Sequence, residues 1–123
     1  MHLHYSPLAA VAPVISFDDF LSVDIRIGTI LKAEPLLEAR KPAFVLTIDF
    51  GEGVGVKRSS SQITEIYSLD QLPGKQVAAV VNFVPRQVGT VMSEVLTLGF
   101  ADANGSVVMF SPDVPVPNGS RLF

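Results

Sequence analysis

Residues 16–34 read SFDDFLSVDIRIGTILKAE, and the apolar period changes inside this stretch. Ser16, with Asp19 three residues on, is a near relative of the capping box, because hydroxyl and carboxylate can each take an orphan backbone N–H of a first helical turn. The spacing predicts an amphipathic helix over 17–23 of about two turns, with Phe17, Phe20 and Leu21 on one face. From Val23 the period falls to two, with Val23, Ile25, Ile27, Leu31 and Ala33 on one side and Asp24, Arg26, Lys32 and Glu34 largely on the other. That alternation predicts a long half-buried strand, which Gly28 invites to bend.

Working outward, Phe44, Leu46, Ile48 and Phe50 alternate in a second strand. Gly51, Gly53 and Gly55 then permit a tight return into Val56-Lys57, so the GEGVG run is read as a hairpin turn. Residues 62–72, QITEIYSLDQL, space Ile63, Ile66, Leu69 and Leu72 as a short helix would, ended by Pro73-Gly74. Residues 76–83, QVAAVVNF, read as a strand covered on both faces. Two more strands are predicted over 94–100 and 106–111, divided by the turn Asp102-Ala103-Asn104-Gly105. The tail PDVPVPNGSRLF carries too many prolines for a central strand and is expected to run extended along a surface. Short strands with one helix between the third and fourth match a five-stranded OB-fold barrel, all-β with short helices.

With 48% apolar residues in 123, the chain can bury one core but not two, so residues 16–123 are read as one domain behind an extension over 1–15. The apolar run 8–15, LAAVAPVI, follows no basic residue and is broken by Pro13, which argues against an export signal. No stretch approaches the roughly 20 apolar residues of a membrane helix. The absence of cysteine fits a reducing compartment, and a cytoplasmic protein without membrane insertion is expected. A net charge of −3 argues against strong unspecific attraction to a polyanion, yet Arg40-Lys41, Lys57-Arg58 and Arg86 could form a local cationic patch if the fold gathers them.

Signs of catalysis are weak. His2 and His4, both at the start, have no ligand partners at metal spacing, and no nucleophile elbow, phosphate loop or dinucleotide fingerprint occurs. Asp49 and Glu94 are the nearest approach to an acid–base pair, but Asp49 fits better as a backbone acceptor in the glycine turn. No enzyme activity, cofactor or metal is expected.

Residues 82–99, NFVPRQVGTVMSEVLTLG, leave a strand at Asn82 and Phe83, turn through Pro85-Arg86 and re-enter a strand at Ser93-Glu94. Asn82, Arg86, Ser93 and Glu94 would crowd the mouth of this hairpin, a recognition surface in character.

The segments VDIRIGTILKAE, LTIDFG, SSSQIT, GKQVAAVVNFVPR, SEVLTLG and PVPNG occur in the order found in the CsaA family, and from about Phe17 onward the chain resembles those stand-alone tRNA-binding-domain proteins. The resemblance implies an OB fold with added elements at both ends that build a homodimer. It implies affinity for tRNA, as in the domains appended to methionyl-tRNA synthetases, and a chaperone role in protein export through unfolded preproteins and the SecA translocase ATPase. The implied RNA-binding residues are Lys57, Arg58, Asn82, Arg86, Ser93 and Glu94. Val95 and Leu96 follow where the synthetase-appended relatives continue Gly-Met, and Thr90-Val91-Met92 replace a glycine and a basic residue often found there.

The cations would neutralise phosphates while Asn82, Ser93 and Glu94 bond base edges or a 2′-hydroxyl. Each has a plainer reading: Asn82 as a strand terminator, Ser93 as a turn closer, Arg86 paired with Glu94, and Lys57-Arg58 as a solvated turn. Phe83, Val84, Val91 and Met92 flank the same mouth and suit loose contact with unfolded polypeptide, or Val91 and Met92 simply pack under the hairpin. For the dimer, Phe17, Phe20, Leu21, Val114, Val116 and Leu122 are apolar residues a minimal barrel need not bury, and the plainer reading packs them on their own barrel.

Overall fold

The computed structural model describes residues 3–37 and 39–123, so His2 lies outside the described residues. The capping box forms: Asp19 N–H donates to Ser16 Oγ and Ser16 N–H to Asp19 Oδ2, each at 3.1 Å. Helix α1 (Phe17–Leu21) is shorter than its pattern suggests. Ser22 Oγ takes the Asp19 carbonyl at 2.7 Å, competing with a further helical turn.

The long strand is β1 (Ile25–Leu36), which bonds antiparallel to β4 (Gln76–Val80) through Ile25–Thr29 and to β2 (Ala43–Asp49) through Thr29–Leu36. Strict alternation along it does not hold. The register passes from Ile30↔Ile48 to Lys32↔Thr47, so Leu31 is an unpaired bulge that flips the phase, leaving Ile30 1% and Leu31 52% exposed. Gly28 permits a close approach: a Cβ there would sit 2.5 Å from Ile48 Cγ2 and 2.7 Å from Phe50 Cδ1. Only a residue without a side chain lets β1 lie so close to the core.

After β2 the chain reverses through the glycine turn, where Gly55 N–H meets the Gly51 carbonyl at 2.7 Å and both glycines have positive φ. It returns as β3 (Val56–Ser61), paired to β2 from Phe44↔Ser61 to Asp49↔Val56. The helix predicted over 62–72 does not form, and two turns replace it. Ile63 and Leu72 are buried as anchors, but Ile66 is exposed, and Ser68 organises a local turn instead. Its N–H donates to Gln71 Oε1 and its hydroxyl to Asp70 Oδ1; the hydroxyl bond, with a backbone N–H beside it, holds the Asp70 carboxyl below its ordinary range.

The remaining strands are β5 (Arg86–Val88), β6 (Val91–Ser93), β7 (Leu96–Thr97), β8 (Gly99–Ala101) and β9 (Val107–Met109). The main sheet runs β3-β2-β1-β4-β7, curled into an antiparallel half-barrel, with β5-β6 and β8-β9 as separate ribbons. Arg86 opens β5 opposite Ser93 instead of standing in the turn. The strand expected over 94–100 is divided into β7 and β8, while the turn at 102–105 is as predicted, Asp102 Oδ1 accepting from Asn104 and Ser106 N–H.

Ile30, Leu46, Ile48, Phe50, Val77 and Ala79 fill the barrel, and a second cluster of Leu36, Ala43, Val45 and Val91 lies on the other face of the sheet. All of β4 after Gln76 is buried, as a two-faced strand requires. The proline-rich tail is tied down at its end, where Ile27 N–H reaches the Ser120 carbonyl and Leu122 N–H the Ile25 carbonyl. Gln76 holds it midway, bonding Val116 N–H at 3.0 Å and the Val116 carbonyl at 2.8 Å. The expected all-β, OB-like architecture is the one observed, with one short helix where two were predicted.

Candidate nucleic-acid interface

β3 is an edge strand of the main sheet, and what meets its free edge, without a strand ladder, is the pair Ser93-Glu94 at the end of β6. Ser60 N–H donates to Ser93 Oγ at 3.0 Å, and Arg58 N–H donates to Glu94 Oε1 at 3.0 Å. Glu94 N–H in return reaches the Arg58 carbonyl at 2.8 Å. Buried Ser59 adds a bond from its hydroxyl to the Val95 carbonyl at 3.1 Å. Side chains thus supply the partners a strand edge would otherwise lack, and the barrel closes.

Glu94 also faces Lys57 Nζ at 4.0 Å, so Lys57, not Arg86, is its cationic neighbour. Both side chains are about one-third exposed, a setting in which an ion pair contributes under about 1 kcal/mol. Lys57 pairs in register with Ile48 and Arg58 with Thr47, so the two consecutive cations project from opposite faces. Arg58 borders a small hollow of about 230 Å³ with Glu34, Thr90 and Val91. Arg86 instead lines a groove of about 760 Å³ together with Ser93, Glu94, Phe83 and Val84. The fold brings Arg86, Ser93 and Glu94 to one rim, sets Lys57 beside Glu94, and turns Arg58 to the opposite face of β3 from Lys57.

Asn82 is committed to the chain at both ends of its amide. Oδ1 accepts from Asp24 N–H at 3.0 Å and Nδ2 donates to the Ser22 carbonyl at 2.9 Å, which fixes the link from α1 to β1. Asp24 binds Arg26 at 2.6 Å and lies 3.4 Å from Arg121, so those two cations are also engaged internally. Asp49 Oδ1 accepts from Gly51 N–H at 2.9 Å, the role its place in the glycine turn suggested.

The apolar candidates divide as well. Phe83 and Val84 are exposed on the groove wall. Val91 is 7% exposed and belongs to the second core cluster, so it packs under the hairpin and not at a polypeptide surface; alternation along β6 points it inward and Met92 out to solvent, on the side of Gln87. The groove's further lining, including Leu96, Phe100 and Val107, was not singled out from sequence, since these residues meet only through the β7–β9 geometry. Among the dimer candidates Phe17, Leu21 and Val114 are exposed, while Phe20, Val116 and Leu122 are half-buried. Among the described residues no His, Cys, Asp or Glu side chains gather into a metal-holding group, and no helix is long and apolar enough to cross a membrane.

The sequence matches the family described as "Putative tRNA binding domain" over residues 25–121. It is 39% identical over 109 residues to a methionine–tRNA ligase of Flavobacterium johnsoniae, covering 89% of this chain and 15% of the ligase. A methionine–tRNA ligase of Methanothrix thermoacetophila is 37% identical over 110 residues, again covering 89% of this chain but 16% of the relative. The chain therefore spans about one-sixth of the length of such relatives or less. Among solved structures, the chaperone CsaA of Bacillus anthracis is 47% identical with a TM-score of 0.84, covering 90% of this chain and 100% of that one. The CsaA chaperone protein of Picrophilus torridus is 43% identical with a TM-score of 0.83, covering 89% of this chain and 100% of that one.

Proposed function

Because this chain belongs to the tRNA-binding-domain family, and within it to the CsaA proteins, we propose that it is a non-enzymatic, homodimeric tRNA-binding protein of the cytoplasm with a chaperone role linked to protein export. The observation that carries the RNA reading is the rim where Arg86 and Lys57 flank Ser93-Glu94, two cations beside a ridge of polar groups. Phosphates would meet Arg86 and Lys57 first, and Arg58 would add a contact where RNA passes behind the rim. Asn82, Ser93 and Glu94 would act chiefly by holding that rim in shape, with their remaining acceptor capacity turned to a base edge or 2′-hydroxyl. A two-fold contact through α1 and the proline-rich tail would cover Phe17, Leu21 and Val114 and double the cationic footprint.

The alternative, a chaperone for unfolded preproteins and the SecA ATPase whose RNA affinity is vestigial, draws on the groove beside that rim, walled by Phe83, Val84 and Phe100. Titrating total tRNA from low to physiological salt separates the two. A slope of about −0.7 to −0.9 in log affinity per phosphate contact is expected, and a flat dependence removes the electrostatic mechanism. Competition between tRNA and a reduced, denatured polypeptide then reports whether both use one surface. Sedimentation at micromolar concentration is expected to give a dimer.

A further inference from the structure

The arm over residues 3–15 lies outside the family match, and almost all of its apolar side chains meet solvent: Leu8 is 93%, Val11 98% and Val14 99% exposed. Leu3 and Ile15 are less exposed, at 58% and 64%, and of the arm's residues Leu3 lines the 760 Å³ groove, together with Phe83, Val84 and Leu96. A built turn brings it there. Ala9 N–H donates to the Ser6 carbonyl at 3.0 Å and Leu8 N–H to Ser6 Oγ at 3.1 Å, with Pro7 at the second position of the turn. Proline's fixed φ and the serine hydroxyl both favour such a reversal, so the arm is folded back.

We propose that this arm is the groove's resident ligand: Leu3 seats in cis between Phe83, Val84 and Leu96, and an extended apolar polypeptide must displace it to bind. The groove suits that occupant. Its walls are apolar, while Arg86, Ser93 and Glu94 at its rim can meet a backbone that runs past. The inference rests on the polypeptide reading for the nature of the competitor, but the seating of Leu3 stands or falls by itself. Where an internal segment holds a site closed part of the time, the apparent affinity for an outside ligand falls by the open fraction.

The test uses the full chain with Leu3→Glu, and Leu8→Glu as a control of equal charge at a solvated position of the same arm. Methyl NMR is expected to show shifts at Val84, Leu96 and Val107 in L3E and none in L8E. A fluorescent peptide of residues 1–9, added in trans, is expected to bind L3E about fivefold more tightly than the unaltered chain, as removing one partly covered leucine from the site would allow. Unshifted groove methyls in L3E, equal shifts in L8E, or equal peptide affinity for all three proteins overturn the proposal. Groove shifts and tighter peptide binding in L3E, with no affinity of either protein for denatured polypeptide, support the arm's seat and reject the chaperone reading instead.

Discussion

Arg58 and Glu94 hold each other twice: Arg58 N–H donates to the Glu94 carboxylate at 3.0 Å, and Glu94 N–H donates to the Arg58 carbonyl at 2.8 Å. One side-chain bond and one backbone bond join residues 36 positions apart, across the gap that the strand ladder leaves open. What resembles a recognition residue in the sequence is also the latch of the barrel.

Glu94→Ala removes the acceptor for Arg58 N–H and is expected to destabilise the protein by about 1–2 kcal/mol. Glu94→Gln keeps an amide oxygen for that bond and is expected to cost less than half as much. Urea unfolding at neutral pH checks both. The same Glu94→Gln variant relieves Lys57 of its negative neighbour, so its tRNA affinity at low salt should rise even as stability falls slightly. A purely structural Glu94 would show no such rise.

Gly28→Ala places a methyl within 3 Å of both Ile48 and Phe50, two residues with no exposed surface at the centre of the barrel. Neither can move without shifting a close-packed neighbour, so a loss of about 1–3 kcal/mol is expected. Gly53→Ala is the control, since nothing lies within 4 Å of its Cβ position. Thermal unfolding should separate the two variants clearly.

How far the sequence could be read depended on the range of the interactions. The Ser16–Asp19 cap, the alternation of β2 and the Asp102 turn are local, and each was legible. The bulge at Leu31 was not, because it depends on how β2 is fitted against β1, and a single unpaired residue reverses every inside–outside assignment beyond it. Ile63, Ile66, Leu69 and Leu72 carry a helical period, yet Ser68 spends its hydroxyl and N–H on a turn, and the period has no helix beneath it. At the site, the nearness of Arg86, Ser93 and Glu94 was legible through their hairpin, but Glu94's choice of Lys57 over Arg86 required the β3 edge to be brought to it.

Asn82→Ala cuts two bonds that fix the turn between α1 and β1, to Asp24 N–H and to the Ser22 carbonyl. The expected loss is about 1–2 kcal/mol, with faster hydrogen exchange at the Asp24 amide as its local signature. If α1 forms part of a two-fold contact, the same variant should also shift the dimer toward monomer in sedimentation. Unaltered exchange at Asp24 would refute the clamp.

The cations offer the sharpest prediction about RNA. Arg86 lies on the rim and Lys57 beside Glu94, so Arg86→Ala and Lys57→Ala should each weaken tRNA binding and reduce the salt slope by about 0.7–0.9. Arg58 is the discriminating position. Its latch bonds come from its backbone, so Arg58→Ala should leave the barrel's stability unchanged while removing a charge from the opposite face. If RNA lies only along the rim, Arg58→Ala keeps the full slope, and if RNA passes behind it, the slope falls as it does for Arg86→Ala. Filter binding over a salt series, with urea unfolding as the stability control, reads this out. An unchanged slope in all three variants would place RNA recognition elsewhere on the molecule.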